Sequence, residues 1–357
     1  QENYSIFKTI YMYMCNEFLM SLLATPTVSG FETAGCKLYE NYLRGHVDEC
    51  SIDILGNTYA ILNTSKELPR VMIEAHIDEI GFQVLYIADD GCVYVRKNGG
   101  IDIQCIPGSK VIIYGNSGEI HGVIGKTPIH LQSNQEREKT LELSNLWIDT
   151  GLDADEVKEK VHVGDVVALK QDAEMIGKYR ITSKALDDKI GVYVVAEVMK
   201  RLGNERNSLR CNVQGVATVQ EEVGCRGAIA SGCIIMPDVS ISIDVDFATD
   251  VPGCSKTKYG DIRLGGGVVV TCCLDSDMHI VEQLRKIASG KAIPIQYSAR
   301  PYATGGTNAS RIRTVQKGVR TVLLGIPCRY MHTPVEVCDM RDVEAAISLV
   351  TEYIKSI

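Results

Sequence analysis

Two adjacent glutamates, Glu221 and Glu222, close an apolar run in the stretch VQGVATVQEEVGCRGA at 213–228. Held close and dry, two carboxylates repel, and one takes up a proton. A positive group nearby makes both usable. Four more polar clusters close apolar, strand-like runs: EAHIDEIG, SKALDDKIG, SIDVDFATDVPG and YMHTPVEV. In open α/β sheets, ligands bind beyond the carboxyl ends of the strands, where segments distant in sequence converge. His76 and His332 supply imidazoles; Asp187, Glu222 and Asp244 supply carboxylates. Nitrogen and oxygen donors of this kind suit zinc, cobalt or manganese. Three carboxylates are too many for one catalytic zinc with two histidines, but they fit two ions if one carboxylate bridges. Two divalent ions carry four positive charges; three carboxylates cancel three, and a hydroxide cancels the last.

Each piece also has an ordinary reading. A lone histidine is usually a surface or hydrogen-bonded core residue, and His46, His121, His162 and His279 are read that way. An Asp pair is most often a turn or a helix cap, and a Glu pair a solvated face. Five such coincidences at strand ends weigh together more than each does alone, yet spacing by itself does not establish a metal site.

The elements that position these residues follow an α/β rhythm with one interruption. Amphipathic helices are expected at 4–24 and 32–44, and buried strands at the runs DILGNTYAIL and RVMIEAHID. From 83 to 179 short β-rich runs recur between Gly, Asn and Asp turns, the pattern of a small barrel or sandwich. Its long polar stretch, QSNQEREKTLE, is expected to be a loop. Strands return at 211–220, 239–245, 267–272, 293–297 and 321–326, with a last helix at 341–356. The fold class is therefore α/β, with a β domain at 83–179 inserted into an α/β domain made of 1–82 and 180–357.

Composition bounds the function. The 357 residues are 45% hydrophobic and 23% charged, with a net charge of -8. That balance disfavours nucleic acid and anionic membranes as partners, and no apolar stretch approaches the about 20 residues that span a bilayer. The N-terminal stretch fits an amphipathic helix better than a signal peptide. The 13 cysteines are odd in number, scattered and without a C-x-x-C pair. They read as reduced, buried thiols of a cytoplasmic protein.

The order and neighbours of these motifs resemble one family nearly end to end: the tetrahedral, or glutamyl, aminopeptidases, di-metal exopeptidases related to deblocking aminopeptidases. The resemblance runs through TPTVSGFE, DILGNTYA, EAHIDEIGFQV, GGIDIQCIPGSKV, LWIDTG, VHVGDVV, SKALDDKIGVYV, TVQEEVGCRGA, SIDVDFATDVPG and GIPCRYMHTPVEV. Some relatives carry an endoglucanase label. The resemblance implies a mixed-sheet α/β/α domain with an inserted small β-barrel that takes part in oligomerisation. It implies two divalent metal ions per subunit, zinc, cobalt or manganese. His76 and Asp244 would bind the first, Glu222 and His332 the second, and Asp187, joined to Asp188 by a cis bond, would bridge them. Asp78 would orient the His76 ring, and Glu221 would be the general base that takes a proton from a metal-activated water. The implied reaction is release of N-terminal residues from peptides with a free amine, by dimers that assemble to a dodecamer.

Lys189 stands where many relatives have Arg, Asn308 where Asp is frequent, and Cys225 beside the glutamates is unusual. A glycoside hydrolase also needs paired carboxylates, but aromatic residues are only 6% and Trp147 is the single tryptophan. A catalytically inactive assembly module would lack a ligand or the base, and none is missing here. A related di-metal deacylase or dipeptidase is the nearest competing enzyme. Arg300 and Arg311 are candidates for a pocket that takes acidic N-terminal residues.

Overall fold

The computed structural model describes residues 16–65, 67–116, 118–299 and 306–357. Most of the helix expected at 4–24 lies outside these residues, as does Arg300; its described end is a helix at Glu17–Ala24 capped by the Asn16 side chain.

An eleven-stranded mixed sheet forms the larger body. Four strands make its centre: β1 (Arg70–His76), β2 (Asn212–Thr218), β3 (Val239–Phe247) and β4 (Arg320–Arg329). They lie in the order β2-β1-β3-β4 and all run parallel. Their carboxyl ends therefore fall along one edge of the sheet. The register puts Thr218 opposite His76, and Asp244 opposite Gly325. Antiparallel strands flank this centre on both sides.

The period-2 alternation along β1 and β3 assigns their faces. Val71, Ile73, Ala75, Ile241 and Ile243 enter the main core. That core is closed by a long helix, α1 (Leu186–Asn204), whose residues Ile190 to Met199 are almost all buried and apolar, and by the C-terminal helix Met340–Lys355. Met72 packs on the opposite face, in a smaller cluster with residues of the helices Arg226–Ile235 and Asn308–Ile312. The result is an α/β/α sandwich with one heavy and one light helical layer.

Between β1 and α1 the chain makes a closed antiparallel barrel of six strands, the first at Gly81–Ile87 and the last at Val166–Leu169. Its interior is a separate apolar core built around Phe82, Val84, Val111, Ile113 and Ile148. The polar stretch expected to be a loop contains a one-turn helix, Asn134–Glu138. Gln, Glu and Arg are good helix formers, and the Arg137 N–H closes the turn on the Ser133 carbonyl. Among the described residues, no helix is long and apolar enough to cross a membrane.

Candidate metal centre

His76 is the last residue of β1, and Asp187 is the second residue of α1, where the backbone of Asp187 and Asp188 departs from helical angles. Asp244 projects from β3, and the Glu pair follows β2. His332 follows β4. Six of the seven residues singled out above line one cleft: His76, Asp187, Glu221, Glu222, Asp244 and His332. The seventh, Asp78, is fully buried beneath it.

The glutamates are aimed by a turn. Gln220 takes a left-handed backbone (φ 57°), and the amides of Gly224 and Cys225 fold back onto the Glu221 carbonyl. The Asp78 carboxylate accepts the N–H of Glu221 at 2.9 Å and that of Glu222 at 3.1 Å, and also the Ser29 hydroxyl at 2.7 Å. One buried carboxylate thus fixes both glutamates. Asp78 also meets His76, but chiefly through its backbone: the ring Nδ1 is 3.1 Å from the Asp78 carbonyl oxygen and 3.5 Å from its carboxylate.

Asp187 sits between the two imidazoles. Its Oδ1 is 3.1 Å from His76 Nε2, and its Oδ2 is 3.3 Å from His332 Nε2. The peptide joining it to Asp188 is cis. Asp244 Oδ1 lies 4.0 Å from His76 Nε2, and Glu222 Oε1 lies 3.5 Å from His332 Nε2. Two donor groups result, His76/Asp187/Asp244 and Asp187/Glu222/His332, with Asp187 common to both; His76, Glu221 and Glu222 form a third.

The tautomers decide whether these groups suit a cation. His76 Nδ1 faces a carbonyl oxygen, and so does His332 Nδ1, at 2.8 Å from the Gly100 carbonyl. A carbonyl only accepts, so each Nδ1 carries the hydrogen. In the neutral rings both Nε2 lone pairs then point at carboxylate oxygens, which are acceptors too. Only a proton or a metal ion between them relieves that conflict. The donor set of imidazole nitrogen and carboxylate oxygen fits divalent zinc, cobalt or manganese.

Charge makes the same case. Burial pushes the Glu221 carboxyl up to about 9 and that of Glu222 up to about 8, with neighbouring carboxylates adding to the effect. Burial also raises Asp187, but hydrogen bonds from His332 and His76 outweigh it and hold this carboxyl below its ordinary value. The Asp187 hydrogen bond is the largest influence on His332, whose ring is raised to about 10. The cleft is rich in carboxylates whose ion pairs are with these two imidazoles.

A model of the M42 glutamyl aminopeptidase family matches residues 56–349. The chain belongs to that family. It is 33% identical to the lysyl aminopeptidase of Pyrococcus furiosus, over 93% of this chain and 94% of the relative. The crystal structure of a TET aminopeptidase from the marine sediment archaeon Thaumarchaeota archaeon SCGC AB-539-E09 superposes with a TM-score of 0.91 at 32% identity, covering 96% of each chain. The Pyrococcus horikoshii TET1 peptidase, which can assemble into a tetrahedron or a large octahedral shell, gives a TM-score of 0.83 at 28% identity over 94% of this chain and 97% of that one.

Several supporting residues escaped the sequence reading. Glu336, buried, accepts the N–H of Asp187 and the N–H of His332, both at 2.9 Å. It lies inside the quoted YMHTPVEV, so the signal was present without its meaning. Asp188 accepts the N–H of His76 at 3.3 Å and that of Gly191 at 3.1 Å. The barrel contributes through Gly99 and Gly100: a Cβ at Gly100 would lie 2.8 Å from His332 Nδ1, and one at Gly99 would lie 3.3 Å from Glu222 Oε2. Lys189 is fully buried and pairs with Glu79 at 3.2 Å, which explains a cation at that position. Asn308 donates to Glu74 at 2.7 Å, two residues before His76 in β1. The Cys225 thiol donates to Glu221 Oε1 at 3.3 Å. Arg311 is exposed and does not line the cleft, so it is not the candidate cation expected there.

Two outcomes are expected. Glu222 holds its proton until about pH 8 in the metal-free protein, so binding a divalent ion at pH 7 displaces at least one proton. Affinity should then rise about tenfold per pH unit between 6 and 8 for each proton released. Calorimetry in two buffers of different ionisation enthalpy measures this, and no proton release would contradict it. Gly100→Ala should push the His332 ring aside and weaken one of two ion-binding events about 10–100-fold, leaving the other unchanged in the same titration.

Proposed function

We propose that the protein is a metal-dependent aminopeptidase that removes N-terminal residues from peptides bearing a free amine. Membership of the family makes it a peptidase; the metal and the residue roles are the added reading. One observation carries it: the two Nε2 atoms face opposite oxygens of Asp187, so one carboxylate can serve two cations that take the place of the ring protons.

His76, Asp187 and Asp244 would hold one divalent ion, and Asp187, Glu222 and His332 the other. Bound there, the ions lower the pKa of a water towards neutrality and polarise the scissile carbonyl. Glu221 accepts the proton from the attacking water and returns it to the leaving amine. Its carboxyl suits that work because burial already raises its proton affinity. The Cys225 thiol and the Asp78-anchored turn keep it aimed while the proton is held. Asp78, Asp188 and Glu336 fix the backbones of the proposed ligands, so the cluster needs little rearrangement when ions enter.

The catalytic body is taken as 1–82 with 180–357, and the barrel as 83–179. Assembly by the P. horikoshii relative supports a homo-oligomer, in which dimers would assemble to a dodecamer. Twelve free cysteines among the described residues support a reducing compartment, the cytoplasm.

Glu221→Gln should retain two ions per chain and lose about 10²–10⁴-fold in turnover. Glu222→Gln should lose metal first. Metal content by mass spectrometry beside peptide cleavage separates the two. Full activity of Glu221→Gln would refute the base assignment, and cleavage of N-acetylated peptides as fast as free ones would refute the exopeptidase reading.

A further inference from the structure

The segment TPTVSGFE at 25–32 supplies no proposed ligand. Its polar groups are spent instead on the segments that carry the cluster. The Thr25 carbonyl accepts the Lys189 ammonium at 2.6 Å, two residues past Asp187. The Thr27 N–H meets the Glu79 carboxylate at 2.7 Å, and the Ser29 hydroxyl donates to Asp78. The Ser29 carbonyl accepts the Asn98 side-chain N–H at 2.8 Å, beside the Gly99–Gly100 pair that abuts Glu222 and His332. Thr27, Ser29, Asp78, Glu79 and Asn98 are all buried, so these bonds are costly to leave unmade.

Glu32 closes the segment. It is buried and stands at the N-terminal cap of the helix Thr33–Leu43. A side chain at that position ordinarily accepts an N–H of its own helix, and this one does not. Its Oε1 accepts the Gly30 N–H at 2.7 Å and the N–H of Gln220, 188 positions on, at 3.2 Å. Gln220 is the left-handed residue that starts the glutamate turn. That conformation is unfavourable for a residue with a side chain and persists where its surroundings hold it. Three consecutive amides of the turn therefore end on buried carboxylates: Gln220 on Glu32, and Glu221 and Glu222 on Asp78. The neighbours Ser29 and Gly30 tie the two carboxylates together, the first bonding Asp78 and the second Glu32.

On the aminopeptidase reading, we infer that Glu32 is a positioning residue for the proposed base: by holding the Gln220 amide, with Ser29 behind Asp78, it sets the aim of the Glu221 carboxylate. Glu32 does not line the cleft and acts through the backbone of the turn. The proposed ligands His76, Asp187 and His332 are fixed from elsewhere, by Asp188 and Glu336. Loss of Glu32 should therefore reach turnover before it reaches metal.

The test compares Glu32→Gln, whose carboxamide oxygen can accept both N–H groups, with Glu32→Met, of similar size and without an oxygen. On a panel of aminoacyl-p-nitroanilides, metal-loaded Glu32→Met should keep KM within about threefold of the unaltered protein and lose about 10–100-fold in kcat. Glu32→Gln should keep both within about threefold. Both should hold as many ions per chain as the unaltered protein. An unchanged kcat in Glu32→Met, an equal loss in Glu32→Gln, or a loss that follows missing metal overturns the inference and leaves the aminopeptidase reading standing. Ser29→Ala, a single-oxygen deletion, checks the same path should Glu32→Met fail to fold: kcat should fall at least about threefold at unchanged metal content, and an unchanged kcat overturns the inference. Failure of the unaltered protein to cleave any reporter refutes the aminopeptidase reading, and geometry then decides the inference. In crystals the Glu221 carboxylate should move by more than about 0.5 Å in Glu32→Met and by less in Glu32→Gln. An unmoved carboxylate in Glu32→Met overturns the inference whatever the activity.

Discussion

Two imidazoles turn their Nε2 atoms on opposite oxygens of one carboxylate, that of Asp187, at 3.1 and 3.3 Å. Each ring is committed by its other nitrogen to a backbone carbonyl, so neither can turn away without breaking that bond, and for buried His76 the N–H would be left unpaired. Each Nε2 therefore confronts a carboxylate oxygen, and a proton or a cation must lie between them. Much of the surrounding architecture holds that confrontation in place. Glu336 grips the backbones of Asp187 and His332 together, Asp188 grips the His76 amide, and Asp78 grips the two glutamate amides. The parallel centre of the sheet makes this possible, because it delivers four strand ends to one edge. In a purely antiparallel sheet the same residues would be divided between opposite edges.

The barrel has a part in this as well as its own core. The Gly100 carbonyl orients His332, the Asp102 amide bonds to the His332 carbonyl at 3.0 Å, and Gly99 passes close to Glu222. One donor group thus leans on the inserted domain, while His76 ends a strand of the sheet and is held by Asp78 and Asp188. Small residues at 99 and 100 are required by contact distance, since any side chain there would occupy the space of a proposed ligand.

Much of this was legible in the sequence. The runs ending in His76, Glu222 and Asp244 are apolar enough to read as buried strands, and a polar residue at such an end has few ordinary reasons to be there. The alternation in SISIDVDF predicts both the strand and the face that carries Asp244. The expected helix at 32–44 and strand at 239–245 differ from the observed Thr33–Leu43 and Val239–Phe247 only at their ends. What was not legible depends on contacts far apart in the chain. Glu336 looks like any strand residue until its partners at Asp187 and His332 are known. Gly99 and Gly100 look like a turn, and only the fold shows what they approach. Asp78 was expected to act on the His76 ring; it bonds the glutamate turn more closely, a pairing of residues 143 and 144 positions apart. The helix at Asn134–Glu138 was missed because a single turn is too short to show periodicity.

Sharing of Asp187 between two ions can be seen by anomalous diffraction from crystals of the zinc- or cobalt-loaded protein. Two anomalous peaks per chain are expected, one beside His76 and Asp244, the other beside Glu222 and His332, with one Asp187 oxygen near each. A single peak, or two peaks with Asp187 bound to only one of them, would contradict it.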